Sequence, residues 1–160
     1  MMLKNGILML VLYFSLTLNV AQATTACHFQ YAYAGTKIGD VYNGPLLCRN
    51  VTLDTLKVEG TTRLNNSRIT KQLHVRGDVY LYHTYLKAGV IEGTVDGKDC
   101  IVKGLLTIYG NQASFENCSL NDITVYADNI SAFPPTISLI KTKVHGKIHF
   151  YNRQGKIISH

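Results

Sequence analysis

The sequence lacks tryptophan and every motif that marks the commonest enzyme classes. It has no phosphate-binding loop, no nucleophile elbow, no H-E-x-x-H zinc motif and no calcium-binding loop. No window of 11 or more residues after residue 23 shows helical periodicity, so a helical core is excluded there. No second long apolar run follows, which excludes a further transmembrane helix. We therefore expect a protein that is not an enzyme and needs no cofactor.

Acidic residues are also scarce, with ten Asp and Glu against sixteen Lys and Arg and a formal net charge of +6. A basic surface suits anionic partners such as envelope polysaccharide, lipid head groups or nucleic acid. The cations are spread along the chain rather than clustered in a block of five to eight, which favours a general solubilising bias. We predict no nucleic-acid partner.

The N-terminus has the three parts of a cleavable secretory signal peptide. Lys4 precedes an apolar run over residues 7–18, and the small residues Ala21 and Ala23 follow. Signal peptidase accepts small residues at positions −1 and −3, so we expect cleavage after Ala23 and a secreted or periplasmic protein. The apolar run is shorter than the roughly 20 residues of a membrane-spanning helix, which disfavours an uncleaved anchor. The residues before Cys27 disfavour a lipid anchor.

All four cysteines follow the expected cleavage site, at positions 27, 48, 100 and 118. An even number of cysteines in an exported chain predicts two disulfides. Three pairings are conceivable, and the repeat described next favours Cys27 with Cys48 and Cys100 with Cys118. No pair has the C-x₂₋₄-C spacing of a zinc site, and an oxidising compartment disfavours a catalytic thiolate.

A five-residue phrase recurs through the body of the chain. It alternates apolar and polar residues and ends in glycine or alanine, at residues 56–60, 73–77, 89–93, 106–110 and 123–127. The four glycines are 17, 16 and 17 residues apart. Alternation with period two predicts strands with one buried face. Each glycine falls where a corner needs positive φ or a close backbone approach.

One such unit cannot bury its apolar face, whereas stacked units can. We therefore predict an all-β fold, a parallel β-helix (solenoid) of about five or six coils with a disulfide-closed N-terminal cap. Coils stacked about 4.8 Å apart would place Cys100 and Cys118 at equivalent positions, where earlier coils have Ser67 and Thr84. An antiparallel sandwich or barrel is the alternative, although such folds rarely keep a phrase at a fixed step.

The predicted boundaries follow from where the repeat begins and ends. They are 1–23 for the signal peptide, 24–50 for the N-terminal cap, 51–147 for the solenoid repeats and 148–160 for a C-terminal cap or tail. Caps matter because an uncovered solenoid end exposes an edge that polymerises.

The glycine-punctuated phrases, such as Leu-His-Val-Arg-Gly at residues 73–77, resemble the bactofilin repeat over residues 56–127. Bactofilins are small right-handed β-helices that assemble end to end into scaffold filaments in bacteria, so the resemblance implies a β-helix and a scaffold role. Residues 113–132 also resemble pentapeptide-repeat proteins, because apolar side chains recur every five residues at Phe115, Leu120, Val125 and Ile130.

Tyrosine supplies the candidate binding surface, with ten residues in the chain. We select Tyr80, Tyr82, Tyr109 and Tyr126 as a candidate ligand platform, because exposed tyrosine rows offer ring faces to sugars and contact area to proteins. Ordinary strand tyrosines that pack along a sheet face are the alternative interpretation.

Two groups of polar residues are candidates for a catalytic or metal site. Glu59, Arg76 and Glu92 fall at one outward position in successive coils, which predicts a stacking ladder, because the arginine would neutralise a catalytic carboxylate pair. His145 and His149 are four residues apart and would share one face of a strand. A third ligand is not identifiable, so we predict no metal site.

These features predict an exported, non-enzymatic β-solenoid that serves as an envelope-associated structural or interaction module, through self-association or another envelope component. The alternative is a carbohydrate-binding or carbohydrate-active protein that uses an exposed tyrosine-bearing coil face, with polysaccharide as partner.

Overall fold

The computed structural model describes residues 26–30, 35–38 and 40–160. The predicted signal peptide and its cleavage site lie outside these residues. All regular structure in the described ranges is β-strand, and no helix there has the length and hydropathy to cross a membrane. In chain order the strands are β1 Ala26–Phe29, β2 Thr36–Ile38, β3 Val41–Asn43, β4 Leu46–Arg49, β5 Thr52–Glu59, β6 Thr62–Asn65, β7 Arg68–Arg76, β8 Val79–Tyr82, β9 Tyr85–Leu86, β10 Gly89–Glu92, β11 Val95–Lys98, β12 Ile101–Tyr109, β13 Gln112–Glu116, β14 Ser119–Tyr126, β15 Thr136–Ile140, β16 Lys143–Val144, β17 Ile148–Tyr151 and β18 Lys156–Ser159.

The chain winds as a parallel β-solenoid of about seven turns. Each strand from β3 to β18 pairs in parallel with its counterpart in a neighbouring coil. One sheet has the order β1-β4-β6-β8-β11-β13-β15-β18, and the other runs from β2 to β16. The predicted parallel β-helix is therefore confirmed, and the antiparallel sandwich is wrong.

The coils after the first have three sides, because the larger sheet bends. The register shifts between Leu53 and Thr55 in β5 and between Val102 and Leu105 in β12, and in the fourth coil the bend separates β9 from β10. We call the short segment before the bend face 1, the segment after it face 2, and the eight-stranded sheet face 3. Outward side chains on each face form columns along the solenoid axis.

Inward side chains from the three faces form one continuous core. In the third coil, Ile69, Leu73, Val75 and Leu81 are all at most 1% exposed. Full burial of such a side chain contributes about 1.5–3 kcal/mol relative to exposure. Phe115 is the largest of the fully buried residues. The apolar positions of the repeated phrase are therefore the core positions, as the alternation predicts.

The corner between faces 2 and 3 has glycine in the first five coils, and Ala127 takes the equivalent position in the sixth. Gly77 has a φ of 141°, and a Cβ built on it would lie 2.7 Å from the carbonyl carbon and oxygen of Gly60 in the preceding coil. Gly60 and Gly93 also have positive φ, at 143° and 157°. Backbones at this corner approach too closely for a side chain, which confirms the predicted role of the repeated glycine.

The corner between faces 3 and 1 has a different chemistry. One residue per coil adopts the left-handed conformation there, and these residues are Asn50, Asn66, His83, Asp99, Asn117 and Lys141. Asparagine and aspartate tolerate this conformation better than other residues with side chains. The Asn66 amide donates to the Asn50 side-chain oxygen at 2.7 Å, which links consecutive corners.

Both predicted disulfides are present, and no free cysteine occurs among the described residues. Cys100 and Cys118 follow the left-handed corner in consecutive coils, with Cα atoms 4.6 Å apart. Ser67 and Thr84, the predicted counterparts in earlier coils, are both buried. Two disulfides are compatible with an oxidising extracellular or periplasmic compartment.

The N-terminal cap is shorter than predicted. Strands β1 and β2 run antiparallel to β4 and β3 and close the first coil, with the Cys27–Cys48 disulfide joining β1 to β4. Residues 41–49 were expected within the cap but form the first coil itself, pairing in parallel with β5 and β6. The reason is that Tyr42, Asn43 and Gly44 repeat the end of the glycine phrase at the correct step.

Residues 148–160 also differ from the predicted C-terminal cap or tail. Strand β17 pairs in parallel with β14, and β18 pairs in parallel with β15, so these residues complete a seventh coil. The predicted boundary at residue 147 therefore lies inside the solenoid. The loop of residues 127–135 delays the return of the phrase, which is why the last coil is out of step in the sequence.

Candidate functional site

The four candidate platform tyrosines lie on two different surfaces. Tyr80 and Tyr82 belong to β8 on face 3, whereas Tyr109 and Tyr126 end β12 and β14 on face 2. The glycine corner separates the two faces. The structure therefore offers two tyrosine surfaces, and the four residues do not form a single platform.

On face 2 the tyrosines stack on one another. The ring centroids of Tyr109 and Tyr126 are 4.8 Å apart, and those of Tyr126 and Tyr151 are 4.9 Å apart, with interplanar angles of 11° and 15°. Tyr126 is stacked on both ring faces, whereas Tyr109 and Tyr151 each stack on one tyrosine only. A depression of about 520 Å³ lies beside Tyr109 and Tyr126 at the glycine corner. Tyr151 is not apparent from the repeat spacing, because the 127–135 loop lengthens the interval before it. Ile148 to Tyr151 nevertheless pair in register with Ile123 to Tyr126.

The same face-2 column continues into the predicted charge ladder. The Arg76 guanidinium lies 3.3 Å from a carboxylate oxygen of Glu59 and 3.3 Å from one of Glu92. Hydrogen bonding and attraction from Glu92, with a further attraction from Glu59, raise the pKa of Arg76. The ladder is confirmed as an arrangement that links three coils, with the arginine between the two carboxylates.

A groove runs along face 3 beside Tyr80. It has a volume of about 440 Å³. Register pairing aligns Tyr80 with Asp96, Ser114 and Ser138 in the next three coils, so a large side chain is followed by small ones. A neighbouring row of lining residues, Thr94, Gln112 and Thr136, is also polar. The lining residues are Tyr80, Thr94, Val95, Asp96, Gln112, Ala113, Ser114, Thr136 and Ser138.

Tyr80 forms the end wall of this groove. Its side chain is 38% exposed, and the Arg63 guanidinium of the preceding coil lies over the ring, 4.8 Å from the centroid. A cation–π contact of this kind fixes the ring orientation. Since Arg63 approaches from the preceding coil, the opposite ring face is directed toward Asp96. The groove thus combines an aromatic face, a carboxylate, hydroxyls and an amide.

A second, smaller depression adjoins the groove and shares Tyr80 and Asp96 with it. It has a volume of about 220 Å³ and is shared by Tyr82, Asp96, Lys98 and Glu116. Lys98 and Glu116 form an ion pair at 3.3 Å, and hydrogen bonding to Glu116 raises the pKa of Lys98. Tyr82 therefore extends the polar surface around Tyr80.

Asp78 fixes one wall of the groove from the glycine corner. One carboxylate oxygen accepts hydrogen bonds from the Thr94 hydroxyl at 2.6 Å and the Thr94 backbone amide at 3.0 Å. These hydrogen bonds, with the hydroxyl first, lower the pKa of Asp78 below its ordinary value. The ionised carboxylate is the form that the fold prefers.

Replacement of Asp78 with asparagine gives a pH-dependent change in stability. A carboxyl whose pKa is lower in the folded state stabilises the fold above the unfolded pKa of about 3.9, and this contribution is lost as the pH falls through the folded pKa. We expect D78N to melt at a lower temperature than the parent at neutral pH, and the difference to shrink progressively as the pH falls below about 4. Thermal melts followed by circular dichroism across this range test the expectation. A difference that stayed constant with pH would contradict it.

The histidine pair does not lie in one strand. His145 is in a bend after β16, whereas His149 is in β17, so the expected shared strand face is wrong. The His145 Nε2 atom lies 3.1 Å from the Ser119 hydroxyl. Within the described ranges, no three His, Cys, Asp or Glu side chains form a group that could hold a metal ion.

Comparisons with protein-family models, with curated proteins and with solved structures gave no match. The bactofilin and pentapeptide-repeat resemblances therefore stay predictions. The structure itself establishes the fold class: the chain is a disulfide-bonded parallel β-solenoid.

Proposed function

We propose that the protein is an exported, non-enzymatic interaction module of the cell envelope that binds a glycan along face 3. The observation that carries the proposal is the groove beside Tyr80. Sugar rings pack their apolar faces on aromatic side chains, while their hydroxyls exchange hydrogen bonds with carboxylates, amides and hydroxyls. Face 3 supplies these groups from Tyr80, Asp96, Gln112 and Ser114 on consecutive coils.

The shape of the groove favours a chain of sugars over a single ring. Three coil steps of about 4.8 Å separate Tyr80 from Ser138, which gives a length of about 14 Å. The groove is shallow and open along the axis, as a site for an internal stretch of polysaccharide would be. Neighbouring strands pair in register, so the backbone that carries the lining residues is fixed before the ligand arrives. Such preorganisation reduces the entropy lost on binding.

A self-assembled scaffold is the less favoured form of the structural role. Among the described residues, strands β1 and β2 run antiparallel across the first coil and cover the parallel edge on which another copy would stack. The last coil carries cations without carboxylates, and two such ends would repel one another. We therefore favour interaction with another envelope component over filament formation.

Truncation of Tyr80 tests the glycan proposal. For a polysaccharide that binds the parent, we expect the affinity of Y80A to be lower by about tenfold or more, because the ring face is lost. Affinity electrophoresis through gels containing individual envelope polysaccharides would identify the ligand, and titration calorimetry would measure the loss.

Y109A is the matched control, because Tyr109 is similarly exposed but lies on face 2. We expect its affinity to stay within about twofold of the parent. Equal losses in Y80A and Y109A, or no retention of the parent by any polysaccharide, would overturn the proposal.

A further inference from the structure

Charge is distributed unevenly along the solenoid. All ten acidic residues lie at or before Asp128, whereas residues 129–160 contain five cations and no carboxylate. This final segment therefore holds five of the six net positive charges of the chain. Its cations are Lys141, Lys143, Lys147, Arg153 and Lys156. They belong to the last coil that the structure describes, or to the corner that precedes it.

The earlier coils neutralise many of their cations, and the last coil does not. Lys57 pairs with Asp40 and Lys71 with Asp54, each at 2.7 Å. Arg76 and Lys98 also have carboxylate partners, as described above. In the part of the chain that the structure describes, no carboxylate lies within 4.0 Å of the five cations of residues 129–160. Four of these five side chains are exposed. The cations of the last coil therefore lack ion-pair partners, while Asp122 of the sixth coil accepts a hydrogen bond from the Lys147 backbone amide at 2.9 Å.

An apolar loop stands beside this basic end. Residues 127–135 join β14 to β15 and carry Ile130 and Phe133, which are 91% and 78% exposed. These are the two most exposed of the large hydrophobic residues in the described ranges. Both side chains therefore project into solvent, away from the core of the solenoid.

The last coil holds this loop in place. The Arg153 guanidinium donates hydrogen bonds to the backbone carbonyls of Ser131 and Phe133. Asp128 caps the turn by accepting a hydrogen bond from the Ile130 backbone amide at 2.9 Å. The fold thus fixes two apolar side chains beside Arg153 of the last coil instead of burying them.

We propose that the last coil and the 127–135 loop form a docking surface for an anionic lipid bilayer. Lysine side chains near an anionic membrane gain favourable interaction with its headgroups, and exposed Ile and Phe side chains gain free energy when they enter the acyl boundary. A soluble polyanion would match the lysines but would leave Ile130 and Phe133 in water. The combination of charge and apolar exposure therefore favours a lipid surface.

This surface is separate from the proposed glycan groove. The groove lies on face 3 between the third and sixth coils, whereas the docking surface comprises the seventh coil and the loop. A protein bound to lipid through its last coil would direct the solenoid axis away from the bilayer and leave face 3 accessible. The two proposals can therefore fail independently.

Vesicle flotation with the oxidised protein, purified after export, tests the proposal. We expect binding to vesicles of phosphatidylglycerol and phosphatidylcholine to exceed binding to pure phosphatidylcholine by at least about tenfold. The double variant K143A/K147A should bind the anionic vesicles at least about tenfold more weakly than the parent. The matched control K87A/K103A removes two exposed cations from the middle coils and should change it by less than about twofold.

A second variant separates lipid from other polyanions. I130S/F133S should bind anionic vesicles at low salt but lose this binding at high salt, where screening leaves insertion as the main attraction. The proposal is overturned if the parent shows no preference for anionic vesicles, or if K87A/K103A loses as much binding as K143A/K147A. It is also overturned if I130S/F133S binds as the parent does at every salt concentration, since this result would indicate a soluble polyanion as the partner.

Discussion

Replacement of Gly77 with valine is expected to lower the free energy of unfolding by about 3 kcal/mol or more. The residue has a φ of 141°, which β-branched side chains do not adopt without strain. A Cβ would also lie 2.7 Å from the backbone carbonyl of Gly60. That backbone cannot retreat easily, because the Gly60 amide donates to the Arg76 carbonyl at 2.8 Å. Urea denaturation followed by circular dichroism measures the loss.

Gly89→Ala is the control for this substitution. Gly89 is buried on face 2, but its φ lies outside the positive range, and a Cβ there would meet the mobile tip of Leu106 at 3.1 Å. We expect a loss of about 1 kcal/mol, typical of mild overpacking. If G77V and G89A proved equally stable, the corner geometry assigned to Gly77 would be incorrect.

Phe115→Ala should be similarly damaging for a different reason. Phe115 is 0% exposed, and it fills the space left by Gly97 in the preceding coil, with which it is in register. Truncation of a buried phenylalanine typically costs 3–5 kcal/mol, since it removes burial and leaves a cavity. We expect the free energy of unfolding of F115A to be lower than that of the parent by this amount. Urea denaturation, in which F115A should unfold at a lower urea concentration, measures the loss.

Phe133→Ala is the control for this substitution. Phe133 is 78% exposed in the 127–135 loop, so its removal should change stability by less than about 0.5 kcal/mol. A large effect of F133A, or a small effect of F115A, would show that the core assigned to the solenoid is not the one that stabilises it.

The central coils could be predicted from the sequence because one phrase encodes both strand and corner. Leu73, Val75 and Gly77 have counterparts in the next coils, so register and core positions follow from spacing alone. The same register brings Cys100 to Cys118, and the disulfide at this position has the expected place in the coil. Periodicity is a strong signal when each unit buries the same face.

The terminal coils could not be predicted from the same signal. The first coil keeps only Tyr42-Asn43-Gly44 of the phrase, which is too short to stand out before pairing is known. The last coil returns after the 127–135 loop, so Tyr151 follows Tyr126 at a longer interval than the repeat suggests. An insertion at a corner lengthens the interval between equivalent residues in the sequence, but the strands on either side still stack on the neighbouring coil.

The candidate site was only partly visible in the sequence. Spacing places Tyr80 and Asp96 in one column, but the groove depends on the change from a large to small side chains and on where Arg63 lies. Likewise, the even spread of cations along the sequence conceals which of them have partners. Ion pairs form between coils, for example Lys71 with Asp54, so the uncompensated end appears only in the folded chain.

Mapping a bound glycan on the protein tests the central claim most directly. The claim is that face 3 is a ligand surface built by stacking coils. In a titration of the isotope-labelled parent with the retained polysaccharide or its oligosaccharides, backbone amide resonances of Thr94, Asp96, Gln112 and Ser114 should shift together. Amides of Tyr109 and Tyr126 on face 2 should stay in place. Shifts confined to face 2, or no shift with any envelope glycan, would contradict the account.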